Sequence, residues 1–503
     1  MQTPTASGSR TDTTTNTKHR STRLQIFLIV SLTFSMATLC LSHYKVVHSV
    51  TDHDRVTVPL PRNQAPAKGG LPPVPDFVKR KATQNQENTD LDQGLTGQGL
   101  VTFRTPQEAV GEDAKILLQP TMGVHRPSSN AVFAFAEGYD LKVYATFIES
   151  LKQTGFAGDV VLAVSDTKKM KTDVFDYLKW YSDGGDKSLR IVAYALDWHC
   201  LTKNGDKIKG SQRGSTVNHG FSDCKLDGMY SGKDGAPAED PREARPVATA
   251  RYELYYIWSK QYLERSKILV IDSRDTYFQA PFSFESSAAP NLRGVHLPAN
   301  IGDSCRLDLF EENREAVDIG KSKYNSRWIK SAYGNGTLKK MESKPVICSG
   351  STMGSQAAIE HYSSAMVAQF DKTKCKAVGC DQGFHNFIYY EGGLESWLRG
   401  KGCSTYVHEQ GSGAVNNLAA LRQTSLRSQG VLKVQDGLGS DDIFVANNDG
   451  KPSPILHQYD RDDELKKTIQ KRAAVLLQGW KVGVQASTNS LSSQRFNKMK
   501  TIS

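Results

Sequence analysis

The sequence predicts an α/β fold built on a mixed, mainly parallel sheet with helices on both faces. Two observations carry the prediction. Strand-like and helix-like runs alternate from about Asn130 onward. The strand-like runs are short and nearly wholly apolar, as expected where helices cover both faces of a parallel sheet.

The elements follow in order. "AVFAFA" (131–136) reads as a strand, and "DLKVYATFIESLKQTG" (140–155) as a helix with Leu141, Tyr144, Ile148 and Leu151 on one face and Gly155 as its stop. "DVVLAVS" (159–165) is a second strand, "TDVFDYLKWYS" (172–182) a helix with Thr172 as its N-cap, and "LRIVAYAL" (189–196) a third strand. A polar, Gly-rich excursion over 197–245 precedes a helix from Val247 to Leu263 and the strand "KILVI" (267–271). Later come a strand entering a Ser349-Gly350-Ser351 turn, a helix from near Ser355, and a helical run behind Asp381, which is placed as its N-cap. A loop spans 408–418, and a short strand over 454–456 delivers His457.

The flanks differ in character. Residues 1–23 form a basic tail with Arg10, Lys18, Arg20 and Arg23 against one acid, Asp12. Residues 24–44 contain no formally charged side chain, and their 21 residues are long enough to cross a bilayer as a signal-anchor helix. The alternative is a cleaved signal peptide, against which the long basic region and long apolar run both argue. The positive-inside rule keeps the tail cytosolic and everything after Lys45 lumenal. Residues 45–129 are Pro/Gly-rich and then polar, a flexible stem, and 476–503 reads as a disordered tail. The formal charge of +10 is dispersed, with no basic helix and no RNA-reading motif, which excludes nucleic acid as the partner. Seven cysteines follow Cys40 without a Cys-x-x-Cys pair, so disulfides in an oxidising lumen fit better than a zinc site, and an odd number leaves one unpaired. Cys200 and Cys224 flank a long polar loop with little core to hold it and are predicted to be joined. One Asn-x-Ser/Thr triplet occurs, Asn335-Gly336-Thr337.

The strand "KILVI" ends in Asp272-Ser273-Arg274-Asp275. Carboxylates at the carboxyl end of a parallel strand stand where α/β sheets bind ligands. Alone, they are equally a salt bridge with Arg274 or a helix cap. Four other segments bear on the choice: "CSGSTMG" (348–354), whose small residues let a ligand approach the backbone, "CDQGFH" (380–385), "HEQGSGAVNN" (408–417) and "PILHQYDR" (454–461). Each has a plainer reading as a turn, a cap or a structural histidine.

In this order the five pieces resemble the GT-A (Rossmann-like) fold of nucleotide-sugar-dependent glycosyltransferases, over about Asn130 to Ile469 of a domain predicted at 130–475. The anchor, stem and lumenal domain resemble the single-pass type II layout of Golgi (or ER) members. The motifs are most similar to the glycogenin/galactosyltransferase-like group, with an aspartate motif, a Ser-Gly stretch, an Asp-Gln pair and a late histidine. The resemblance implies that Asp272, Asp275 and His457 hold Mn²⁺ (or Mg²⁺), which holds the diphosphate of the sugar donor. Two oxygen ligands and an imidazole suit such an ion. It further implies that Ala136, Glu137 and Tyr139 cradle the nucleotide, that Arg251, Ser349 and Gly350 contact the donor, and that Asp381 with Gln382 stands beside the reacting sugar carbon. One departure is the spacing: the family has Asp-x-Asp, this chain Asp-x-x-Asp, so the carboxylates face one way only if the chain turns between them. Another is the absence of the Gly/Lys-rich tail after the histidine, for which Arg461 or Lys466 would substitute.

The implied activity is transfer of a sugar to a glycan, protein or lipid acceptor. Two alternatives stay open: an inactive domain of the same fold serving as a lectin or assembly subunit, and a sugar-1-phosphate nucleotidyltransferase. The second would want a basic, Gly-rich phosphate loop after the first strand, of which "FAEGYDLK" (135–142) is a poor version.

Overall fold

Strand β1 (Asn130–Phe135) is an inner strand of a seven-stranded sheet, and its two faces show why the chain folds as it does. Ala131 and Phe133 point into one apolar cluster, and Val132 and Ala134 into another. The neighbouring strands β2 (Gly158–Val164) and β3 (Arg190–Ala195) divide in the same way, with Val161, Ala163, Val192 and Tyr194 on the first face and Val160, Leu162, Ile191 and Ala193 on the second. Both faces are covered, so the strands carry no polar alternation.

The computed structural model describes Pro106 and residues 114–500, except 197, 202–206, 210–222, 233–234, 241, 285–304, 313–317, 420–424 and 435–442. Contacts divide the chain into residues 1–95 and 96–503, and the described residues all belong to the second unit. The basic tail, the anchor at 24–44 and the stem apart from Pro106 and residues 114–129 lie outside them. Among the described residues no helix is long and apolar enough to cross a membrane.

Helices α1 (Leu141–Gln153) and α2 (Thr172–Ser182) cover the second face. The Asp140 side chain caps α1 by accepting from the Val143 N–H; Lys171 occupies the N-cap of α2 without a side-chain bond, so Thr172 is inside the helix rather than its cap. A small antiparallel sheet follows: β4 (Trp198–Leu201), β5 (Lys207–Lys209) and β6 (Cys224–Leu226). Cys200 and Cys224 stand opposite each other in it and are disulfide-bonded, as predicted. Helix α3 (Val247–Ser259) covers the first face with Tyr252, Tyr255, Tyr256 and Trp258 buried, and leads into β7 (Lys267–Ile271) and β8 (Thr276–Phe278).

The second half adds β9 (Arg306–Glu311), α4 (Lys323–Met341), β10 (Ile347–Ser355), α5 (Gln356–Thr373), α6 (Cys380–Tyr390), α7 (Leu394–Arg399) and β11 (Ser404–His408). The main sheet has the order β11-β9-β10-β7-β1-β2-β3. Only β10 runs against its neighbours β7 and β9, so the sheet is mixed and mainly parallel. The other parallel strands therefore deliver their carboxyl ends to one rim. Strand β15 (Ile455–His457) pairs with β12 (Val415–Asn417) on one side and β8 on the other in a second sheet, and β13 (Leu432–Val434) pairs with β14 (Ile443–Val445). Helix α8 (Asp463–Lys500) closes the chain.

Four expectations need correction. The Ser349-Gly350-Ser351 segment is buried strand, not a turn: Ser351 pairs with Ile271 of β7, Gly350 O accepts from the Asp272 N–H and the Ser349 N–H donates to Gln382 Oε1, while the register with β9 shifts across it. Residues 415–417, read as loop, form β12. Residues 114–129, assigned to the stem, join the fold: the Leu117 N–H donates to Met229 O, and Met122 bridges to Ala193. The polar segment from 476 is helix rather than disordered tail, held at Trp480, whose ring lies 4.7 Å from that of Tyr177 and 6.1 Å from that of Trp180.

Candidate metal and donor site

Strand β7 ends at Ile271, and the chain turns through Asp272 to Asp275 before entering β8. The turn is fixed by main-chain and hydroxyl bonds: the Asp272 N–H donates to Gly350 O at 3.0 Å, Thr276 Oγ1 to Asp272 O at 2.6 Å, and Ser273 Oγ to Phe135 O at 3.2 Å. This turn brings round the carboxylates that a straight Asp-x-x-Asp strand would have pointed apart. Strand β15 lies antiparallel to β8 with His457 opposite Thr276, so sheet register alone delivers the histidine to the aspartates. Ligand atoms of Asp272, Asp275 and His457 all lie within 4.8 Å of one another.

Each carboxylate is divided between two neighbours. Asp272 gives Oδ1 to the Arg251 Nη1–H, while Oδ2 lies 3.9 Å from His457 Nε2. Asp275 gives Oδ2 to Arg274, at 3.3 Å, with Arg461 at 3.6 Å, while Oδ1 lies 3.8 Å from His457 Nε2. One oxygen of each is thus neutralised by arginine, and the other faces the imidazole. His457 is buried, and its Nε2 has no hydrogen-bond partner. An unsatisfied buried nitrogen costs about 1–3 kcal/mol. An ion among these three groups removes that cost and offsets the repulsion of the carboxylates.

The protonation of His457 follows from its other side. Asn417, opposite it on β12, lies with Oδ1 2.8 Å from His457 Nδ1. The Asn417 amide is itself oriented, since Nδ2 donates to Phe310 O at 3.2 Å and Glu311 O at 3.3 Å, and Oδ1 accepts from Ser351 Oγ at 3.0 Å. With Oδ1 an acceptor, Nδ1 carries the proton and Nε2 presents a lone pair, the form in which imidazole ligates a metal. Gly350 forms the floor: a Cβ there would stand 2.6 Å from His457 Cε1 and 2.9 Å from Asp272 Oδ2. The residues present fit a divalent ion with oxygen and imidazole ligands.

Arg251 links this set to Asp381, donating from Nη2 to Asp381 Oδ2 at 3.1 Å. Asp381 is not the cap of α6; Gly379 holds that position in the left-handed conformation, and Asp381 lies inside the first turn. Burial pushes its carboxyl above the usual range against the pull of Arg251, with the nearby Asp272 charge adding to the rise. Ser349 Oγ lies 3.3 Å from the same oxygen, Oδ2. Gln382 is committed at both ends of its amide: Oε1 accepts from the Ser349 N–H at 2.7 Å and Nε2 donates to Ile347 O at 2.6 Å. It fastens α6 to β10. His385 is fully buried against the Tyr362 hydroxyl, 2.6 Å from Nδ1, and burial lowers its pKa to about 3.

Ala136, Glu137 and Tyr139 follow the end of β1 on the same rim. The Ala136 N–H donates to Ala163 O at 2.9 Å, its carbonyl accepts from the Tyr144 hydroxyl, and the Tyr139 ring lies 6.5 Å from that of Tyr144. Two residues at the site lacked a role in the sequence. Asn417 stood in a loop-like run, and only the β12–β15 register reveals it. Cys348, the free cysteine among the described residues, is buried with Sγ 3.6 Å from His457 Nδ1.

No family model matches the chain, and no curated protein does. Among solved structures it is similar to the galactosyltransferase LgtC in complex with donor and acceptor sugar analogues, at 11% identity and a TM-score of 0.36, covering 69% of this chain and 94% of that one. It is also similar to the glycosyltransferase GlyE of Streptococcus pneumoniae TIGR4, at 12% identity and a TM-score of 0.32, covering 70% of this chain and 63% of that one. For the bifunctional glycosyltransferase WbbM the identity is 13% and the TM-score 0.30, over 53% of this chain and 39% of that one. TM-scores this low do not by themselves establish a common fold.

Proposed function

We propose that the chain is a glycosyltransferase that moves a sugar from a nucleotide-diphosphate donor to a glycan, protein or lipid acceptor, with Mn²⁺ (or Mg²⁺) held by Asp272, Asp275 and His457. The observation that carries this reading is the pair of divided carboxylates facing the buried, unpartnered Nε2 of His457. When bound, the ion neutralises charge developing on the diphosphate leaving group. Arg274 and Arg461, gathered on the far oxygen of Asp275, add positive charge beside the diphosphate. Arg251 spans Asp272 and Asp381 and so sets the distance between the donor phosphates and the sugar. Asp381 orients an acceptor hydroxyl or faces the positive charge that grows on the sugar ring. Gln382, tied to the β10 backbone, positions Asp381 rather than touching substrate. Ala136, Glu137 and Tyr139 flank the nucleotide.

The nucleotidyltransferase alternative wants a helix N-terminus open to phosphate after β1. Here Asp140 takes up that end of α1, with Glu137 three residues earlier, which favours transfer of the sugar instead. An inactive domain has no need of the complete ligand set. Three disulfides among the described residues support an oxidising compartment, in keeping with a type II protein of the Golgi or ER membrane anchored through 24–44 with its catalytic domain lumenal. Screening the purified chain against nucleotide sugars for Mn²⁺-dependent hydrolysis tests the activity. Hydrolysis of one donor class, lost with chelator, is the expected result; no turnover or binding of any donor would reject it.

A further inference from the structure

Helix α4 carries a feature that its packing does not require. Its middle reads Tyr333-Gly334-Asn335-Gly336-Thr337, and the helix breaks at Gly334, with φ 82° and ψ 176°. Gly334 has a φ that favours glycine, whereas Gly336 lies in the helix, where glycine costs about 1 kcal/mol relative to alanine. Close packing does not explain them: a Cβ at either Gly334 or Gly336 would meet nothing within 4 Å. Gly334 instead interrupts the helix, and the two glycines leave open space on both sides of Asn335, which is exposed. Thr337 Oγ1 bonds back to Tyr333 O at 3.2 Å across the break. Asn335-Gly336-Thr337 is the one Asn-x-Ser/Thr triplet in the chain. The break lies one residue before the acceptor, and the Asn335 side chain stands exposed beside it.

The second line of evidence is the compartment. Cys200–Cys224, Cys305–Cys403 and Cys375–Cys380 are disulfides, which form in the oxidising lumen where asparagine glycosylation also takes place. We propose that Asn335 carries an N-linked oligosaccharide. In the transfer the Asn335 amide nitrogen forms a bond to the anomeric carbon of a lipid-diphosphate-linked oligosaccharide. The bond from that carbon to the diphosphate oxygen breaks, the lipid diphosphate leaves with the electron pair, and the amide loses one proton. The proposal rests on the lumenal placement above. The test expresses the full chain in a eukaryotic host and compares gel mobility before and after peptide N-glycosidase, alongside non-reducing mapping of Cys305–Cys403. The expected result is a single glycosidase-sensitive shift, absent in Asn335→Gln and Thr337→Ala and kept in Thr337→Ser. An unmodified Asn335 in a chain whose disulfides have formed overturns the proposal and spares the lumenal placement. Free thiols with an unmodified Asn335 overturn both.

Discussion

Asn417 determines which nitrogen of His457 faces the aspartates. Its Oδ1 lies 2.8 Å from His457 Nδ1, and its amide is held in that sense by the carbonyls of Phe310 and Glu311. Asn417→Ala removes the acceptor facing His457 Nδ1 and the partner of the buried Ser351 hydroxyl. Mn²⁺ affinity, measured by paramagnetic resonance titration, should fall about 10–100-fold. Denaturant unfolding should show a loss of about 1–3 kcal/mol. Unchanged affinity would mean that the imidazole needs no help in choosing its proton.

Gly350 has no room for a side chain. With a Cβ 2.6 Å from His457 Cε1 and 2.9 Å from Asp272 Oδ2, Gly350→Ala must push one of them aside. Mn²⁺ binding should weaken at least about tenfold, the lower figure for disturbed metal surroundings. Far-ultraviolet dichroism should stay that of the parent.

Removal of a ligand and removal of Asp381 should separate binding from turnover. Asp272→Ala, Asp275→Ala and His457→Ala should each lose Mn²⁺-dependent donor binding by calorimetry. Asp381→Ala should bind donor normally and lose turnover by about 10²-fold or more. If Asp275→Ala keeps its Mn²⁺ dependence while Asp272→Ala loses it, Asp275 serves to orient the site through Arg274 and Arg461 rather than to ligate.

Acid should loosen the opposite end of the sheet through His125. Its Nε2 lies 2.6 Å from the Tyr194 hydroxyl and its Nδ1 2.9 Å from that of Tyr262, which donates to Asp159. Both nitrogens are engaged with the ring neutral, and burial lowers the pKa from 6.5 to about 4, against the raising effect of Asp159. The unfolded chain therefore binds the proton more readily. The neutral ring's contribution is present above pH 6.5 and falls away as the pH drops towards 4, by about 3 kcal/mol in all. His125→Phe should flatten that part of the pH–stability curve; an unchanged curve would assign the acid sensitivity elsewhere.

The local pattern of the chain carried much of this in advance. Apolar runs marked β1, β2, β3 and β7 within a residue or two, and the loop between Cys200 and Cys224 called for their bond. The gathering of Asp272, Asp275 and His457 was legible from motif order. What stayed hidden depends on pairing between distant segments. Ser349 to Ser351 looks like a turn until β7 and the Asp272 N–H take its backbone, and Asn417 has no evident role until β12 aligns with β15. Trp480 falls in the run read as a disordered tail until α2 supplies its partners.

The most direct test is Mn²⁺ titration of the purified full chain by paramagnetic resonance, with and without a nucleoside diphosphate, beside His457→Ala. One ion per chain, bound more tightly when UDP or GDP is present and lost in the variant, is the predicted result. Equal Mn²⁺ binding by parent and variant, or none by the parent, would contradict it, leaving the strand to end in carboxylates only for their bonds to Arg251, Arg274 and Arg461.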